Sequence, residues 1–317
     1  ALPISYQGLS YAYIAFDELT HFTQEEYEYM ISRNRADGAG LRVYISATAN
    51  PGGIGHGWVK ERFITASKPN VPYTVKSEIT DKNGKKINLS ALLKAINALD
   101  EYGKFRVRFV TSYPTDITEE LIETVNECDK VCEYFHIPMQ SGDSEVLKKM
   151  NRRYDVPAYS KICEHLRSKI KDVTITSDFI AGFPGETEEQ FQNTLKTMKE
   201  LELDYSNTAA YSPREKTVAA KWVDKYIPED EKIERLARLN ETNRECCVIS
   251  NEKYIGRTME ILVEKFENHD GTNVISGRTR NNKMVHVPCD NDMTGEFINV
   301  KIIGSMTWYL KGELINN

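Results

Sequence analysis

From about residue 90 to residue 252, short apolar runs alternate with helix-period stretches at the spacing of βα units. Arg106 to Thr111 predicts a strand, with a helix following over Glu119 to Glu127. Val131 to Ile137 predicts a second strand, followed by helices over Glu145 to Asn151 and from Val156 to Ile170. Thr174 to Ile180 predicts a third, followed by a helix over Glu188 to Leu201, and Tyr205 to Tyr211 predicts a fourth. This is an α/β pattern, part of a barrel whose beginning must be supplied for closure. Sites in such barrels lie at the C-terminal ends of the strands. The most unusual sequence clusters there, in the runs Phe109 to Pro114, His136 to Gly142, Ser177 to Thr187 and Ala210 to Arg214. Any one of them alone reads as a strand entering a Gly/Pro turn. Glycines also permit close backbone approach, and Gln140, Ser141, Asp178 and Glu186 can bond ribose, amine and carboxylate groups.

On either side the pattern changes. After Lys253 the period falls to two: Thr258 to Glu264, Asn273 to Thr279, Lys283 to Val287 and Glu296 to Ile303 predict short strands of a compact β-barrel. Before residue 90, Tyr13-Ile14-Ala15-Phe16 predicts a buried strand delivering Asp17 and Glu18. That is the form of a Walker B element, with one carboxylate for Mg²⁺ and the next for the attacking water. A strand running into an acidic helix cap gives the same pattern. Thr23 is an N-cap with Glu26 at the capping-box position, and a further strand over Leu41 to Ile45 leads to the glycine-rich run Pro51 to Trp58. Asn83-Gly84 predicts a hairpin turn, and Ser90 the N-cap of the next helix. These shifts divide the chain into 1–89, 90–252 and 253–317.

Composition narrows the chemistry. The 317 residues carry a formal net charge of -6, so nucleic-acid binding requires local patches. Arg278, Arg280 and Lys283 form such a patch around a predicted loop, with Trp308 and Tyr309 available for stacking. A solvated face is the alternative reading. No apolar run is long enough to span a membrane and no signal peptide opens the chain, so a cytoplasmic protein is expected. The opening Ala1-Leu2-Pro3 lacks an initiator Met, and the expectation is that the native N-terminus lies upstream. Six cysteines are scattered without a disulfide framework. Cys128 and Cys132 alone have tempting spacing, yet two thiols cannot complete a tetrahedral site. They read as structural thiols, with no metal ligands assigned.

Two resemblances add to this. The strings "YIAFDELTHF", "ISATANP" and "GGIGHGWVKERF" resemble the large terminase subunit of tailed phages. That likeness implies an α/β fragment of a P-loop ATPase in which Asp17 and Glu18 serve Mg²⁺ and hydrolysis. The chain has no G-x-x-x-x-G-K-[ST], so the fragment is expected to be inert. Its abutment on a second family without a flexible linker is the pattern of a recombined reading frame.

The strings "FVTSYPTDI", "HIPMQSGDSEVLKKMNRRY", "TSDFIAGFPGETEEQF" and "YSPREKT" resemble the radical S-adenosylmethionine tRNA methylthiotransferases, from Leu92 to Leu314. Within that stretch "GRTRNNKMVHV" and "GEFINVKIIGSMTWYLKGEL" resemble the family's closing TRAM domain. The resemblance implies a partial radical SAM barrel followed by a TRAM barrel. It implies methylthiolation of N6-isopentenyladenosine beside the anticodon, using S-adenosylmethionine and [4Fe-4S] clusters. It puts Gln140, Ser141, Arg152, Asp178, Gly182 and Glu186 at the S-adenosylmethionine pocket. It also gives Arg278, Arg280, Lys283 and Trp308 to the anticodon stem-loop of tRNA, with neither DNA nor membrane as partner. The run C-x-x-x-C-x-x-C is missing, so cluster ligands and catalytic residues are unassigned. The competing expectations are a DNA-packaging ATPase fragment and a non-catalytic RNA-binding remnant.

Overall fold

The structure, a computed structural model, describes residues 13–16, 44–47, 79–80, 86–100, 103–110, 113–214, 217–269 and 271–315. It forms two compact units, Ala1–Lys86 and Ile87–Asn317. In the first, β1 (Tyr13–Phe16) pairs in parallel with β2 (Tyr44–Ala47), Tyr13 opposite Tyr44. Strands were expected at both places, the second a little earlier. Asp17, Glu18, the cap at Thr23 and the run from Pro51 lie outside the described residues. Strands β3 (Ile79–Thr80) and β4 (Lys86–Ile87) form a two-stranded sheet, and the Asn83-Gly84 turn between them also lies outside the described residues.

In the second unit local chemistry starts each helix. The side chain of Asn88, not Ser90, caps α1 (Leu89–Asn97), accepting from the Ala91 N–H at 2.8 Å, while Ser90 is buried inside the first turn. Thr118 caps α2 (Glu119–Glu127), Asp143 caps α3 (Ser144–Lys149), and Asp155 caps α4 (Val156–Lys169) ahead of Pro157. Thr187 and Gln190 form a reciprocal capping box on α5 (Glu188–Glu200). The longest helix, α6 (Glu229–Glu252), follows Pro228 and opens on Glu229, Asp230 and Glu231, which suit the positive end of its dipole.

Strands β5 (Tyr134–His136), β6 (Thr174–Ala181) and β7 (Tyr205–Ala210) form a parallel sheet in that order. Alternation along the strands separates two faces. Phe135, Ile175 and Phe179 join Leu121, Leu166, Phe191, Met198 and Leu239 of the helices in one core. The opposite face carries Tyr134, His136, Thr176, Asp178, Tyr205 and Asn207. Of the strand expected over Arg106 to Thr111, the described residues 106–110 keep one bridge, Val107 to Val131. Side-chain bonds hold this segment instead: Arg106 donates to the Arg278 carbonyl at 2.6 Å and Arg108 to the Thr279 carbonyl at 2.8 Å.

The C-terminal domain is a closed barrel with strand order β10-β12-β11-β8-β9. Its strands are β8 (Thr258–His269), β9 (Thr272–Thr279), β10 (Met284–Pro288), β11 (Phe297–Ser305) and β12 (Leu310–Leu314). The first four occupy the expected places, and the fifth completes the closure. Ile261, Val263, Ile275, Val285, Val300, Ile302 and Leu310 fill the interior. Gly277 is required by the crossing of β8 and β9, because a Cβ there would stand 2.4 Å from the Leu262 carbonyl oxygen.

Candidate functional site

The polar face of the sheet is one hydrogen-bonded row. His136 Nδ1 lies 2.9 Å from Thr176 Oγ1, and that hydroxyl donates to the Tyr134 hydroxyl at 2.9 Å. His136 Nε2 is 3.2 Å from Asp178 Oδ2, while the Asn207 amide donates to Asp178 Oδ1 at 2.9 Å. The register places these groups side by side: His136 is paired with Thr176, and Asp178 with Asn207. Burial pushes the Asp178 carboxyl up, but the bonds from His136 and Asn207 outweigh it and hold the group below the usual aspartate range.

Gln140, Arg152 and Asp178 come together at the C-terminal end of β5 and β6. Gln140 sits in the left-handed region with φ 75°, and its backbone bridges to Phe179. Its N–H donates to the Asp178 carbonyl at 2.8 Å, and its own carbonyl accepts from Ile180 at 3.0 Å. Arg152 acts electrostatically on Asp178, and its Nε is buried without a hydrogen-bond partner. Ser141 turns elsewhere. Its hydroxyl is fully buried against Thr194 at 3.2 Å and accepts from the Asp143 N–H.

Glu186 is also turned from the open face. Its carboxylate accepts from the Gly182 N–H at 2.8 Å and from Arg235 of α6 at 2.9 Å. Both side chains are buried, and burial outweighs those bonds and pushes the Glu186 carboxyl up. The pair clamps the turn containing Gly182, whose φ of 75° suits glycine. A Cβ at Gly182 would also meet Lys232 at 2.5 Å.

The barrel's basic loop docks against the sheet domain. Arg280 binds the Glu133 carboxylate at 2.6 Å and the Val131 carbonyl at 2.7 Å. Lys283 is buried, 2.9 Å from Asp204 and 2.7 Å from the Ser250 hydroxyl. These two cations are engaged inside the chain. Arg278 pairs with Glu264 at 3.3 Å and stays partly exposed. Trp308 is 52% exposed and meets Tyr205 edge to face, with ring centroids 5.9 Å apart. Between the polar face and this loop lies a cavity of about 490 Å³, reached by His136, Tyr205, Asn207, Arg278, Asn282 and Trp308 among others.

Residues 65–198 match the Radical SAM superfamily and residues 252–315 the TRAM domain. The chain thus carries a radical SAM region and a TRAM domain. The superfamily match begins ahead of the junction read near residue 90. The tRNA-2-methylthio-N(6)-dimethylallyladenosine synthase of Clostridium botulinum strain Langeland is 44% identical over 229 residues, covering 72% of this chain and 50% of that protein. The protein of the same name from Alkaliphilus oremlandii is 43% identical over 229 residues, covering 72% and 48%. The chain therefore spans about half the length of the curated relatives it matches. Among solved structures, coproporphyrinogen III oxidase (HemN) of Escherichia coli, a radical SAM enzyme, is similar with TM-score 0.42 and 13% identity over 61% of this chain and 52% of that one.

Radical SAM chemistry implies S-adenosylmethionine and an iron–sulfur cluster. The two fit this chain differently. Arg152 Nε, buried and unpartnered, and the Gln140 amide, which makes no hydrogen bond among the described residues, are donors of the kind a zwitterionic ligand takes up. All six cysteines are buried and free. Burial raises the thiols of Cys128, Cys132 and Cys246, and pushes Cys163 and Cys247 up to about 12, opposing the thiolate that iron requires. Among the described residues no three His, Cys, Asp or Glu side chains converge on a metal position. The cysteines present do not fit a cluster. No helix among the described residues is long and apolar enough to cross a membrane.

Sequence reasoning passed over His136, Asn207 and Arg235. His136 stands inside a quoted motif and was legible there. Asn207 and Arg235 carry no local signal, because their partners lie 29 and 49 residues away.

Proposed function

We infer that the chain serves tRNA methylthiolation, the addition of a methylthio group to N6-isopentenyladenosine beside the anticodon. The observation that carries this is 44% identity over 229 residues to a protein named for that reaction. S-adenosylmethionine, when bound, supplies the methyl group and the precursor of the radical. Gln140, Arg152 and Asp178 are assigned to hold it. Arg152 offers a donor to its carboxylate, and Asp178 stays ionised to receive its amine. Glu186 and Arg235 hold the Gly182 turn in place as positioning residues. Arg278 and Trp308 are given to the anticodon stem-loop, since Arg280 and Lys283 spend their charge on Glu133 and Asp204. The compartment is that of tRNA, the cytoplasm.

Calorimetry with S-adenosylmethionine, and titration with a labelled anticodon stem-loop, test the reading. Binding of both is expected, with Asp178→Asn and Arg152→Ala weakening the first alone. Absence of both would overturn it. A second reading, RNA binding without catalysis, is favoured by the buried cysteines. It predicts stem-loop binding with no affinity for S-adenosylmethionine.

A further inference from the structure

The cavity between the sheet face and the barrel is built for a particular kind of guest. Its volume of about 490 Å³ falls within the range of small-molecule sites. Its buried cation is already answered, Lys283 by Asp204, while Arg278 pairs with Glu264 at the rim and stays partly exposed. A compact ion therefore gains little from entering. What remains open is aromatic surface and neutral polar groups. Trp308 and Tyr205 are 52% and 39% exposed and touch edge to face, which leaves ring faces available at the mouth. Asn207 donates one amide hydrogen to Asp178 and keeps its carbonyl oxygen, while the Asn282 side chain makes no hydrogen bond among the described residues. Asn282 is presented by a left-handed residue, φ 68°, at the tip of the hairpin joining β9 and β10.

Ring faces beside unspent amide edges are the means by which proteins take up unstacked bases of single-stranded RNA. We propose that this cavity takes one unpaired nucleobase of the RNA, stacked on Trp308 and bonded along its edge by Asn207 and Asn282. Arg278 at the rim faces the phosphate that follows. The site adjoins the Gln140, Arg152 and Asp178 group without including those three residues in its lining. It reaches down to the first residues of the strands, Tyr134, Thr174 and Tyr205, and meets that group only through His136 and Asn207, which bond Asp178 from the cavity wall. The proposal rests on the RNA-binding reading above.

The test uses the full chain with two RNA probes: a hairpin with a single-stranded loop, and a fully paired duplex of equal length. The hairpin is expected to quench tryptophan emission on binding. Measured in a Trp58→Phe background, Trp308→Phe should keep the affinity but lose the quench, since Trp222 lies outside the cavity lining. Trp308→Ala should weaken hairpin binding roughly tenfold or more, the worth of one stacked base, and leave the duplex unaffected. Equal hairpin affinity in wild type and Trp308→Ala, or a quench that survives in Trp308→Phe, would overturn the proposal while leaving RNA binding intact. Failure of the wild type to bind either probe would overturn the RNA-binding reading itself. If Trp308→Ala does not fold, as circular dichroism would show, the Trp308→Phe emission decides the question alone.

Discussion

Asp178, half-buried, and Glu186, buried, are two carboxylates tuned in opposite directions. Asp178 accepts from His136 and Asn207 on a face that keeps some solvent, and its carboxyl is held down. Glu186 has Arg235 and one N–H, but its side chain is wholly enclosed and its carboxyl is pushed up. A depressed acid stabilises the fold above its unfolded value and loses that contribution as pH falls through the folded one. Urea titrations between neutral pH and about pH 3 should therefore show wild type losing more stability below roughly pH 4 than Asp178→Asn does. Parallel curves for the two proteins would refute the assignment. At this scale the sequence was half legible. An acid ending a strand beside a glycine-rich turn draws notice for Asp178. The same attention gave Glu186 to the cofactor and did not foresee its pairing with Arg235, because that arginine belongs to a helix with no evident link to the motif.

The docking hairpin between β9 and β10 shows what one element can carry. Arg280 reaches Glu133, Asn281 donates to the Tyr254 hydroxyl at 2.7 Å, and Lys283 is enclosed with Asp204. A buried pair is most costly when only one partner is removed. Asp204→Ala should lower unfolding free energy by about 3–5 kcal/mol, and the double variant Asp204→Leu with Lys283→Met should recover most of it. Denaturant unfolding of the singles and the double checks this, and additive losses would sink it. Helices were well legible here, since Thr118, Asp143, Asp155 and Thr187 mark their starts in the sequence itself. The strand at Arg106 was not. Its alternation is genuine, but Arg106 and Arg108 satisfy barrel carbonyls, and only Val107 keeps a place beside Val131.

For the molecule as a whole, the absence of cluster spacing in the sequence and the burial of the thiols point the same way. Anaerobic incubation with iron and sulfide is expected to give no stoichiometric cluster, and iron analysis with absorption spectra decides it. A stable cluster absorption band would show that the cysteines rearrange. The barrel's closure was foreseeable from period-two patterning, whereas its seating on the sheet domain was not, since every docking pair joins residues distant in sequence. That seating has a consequence for how the protein can vary. Hairpin tips are ordinarily where chains tolerate insertion. The tip from Arg280 to Lys283 is hemmed in by Glu133, Tyr254 and Asp204, so one added residue there would cost this chain its joint. Its length is fixed by a surface on another domain, and a barrel of this fold grafted from elsewhere would dock only if its hairpin had the same reach.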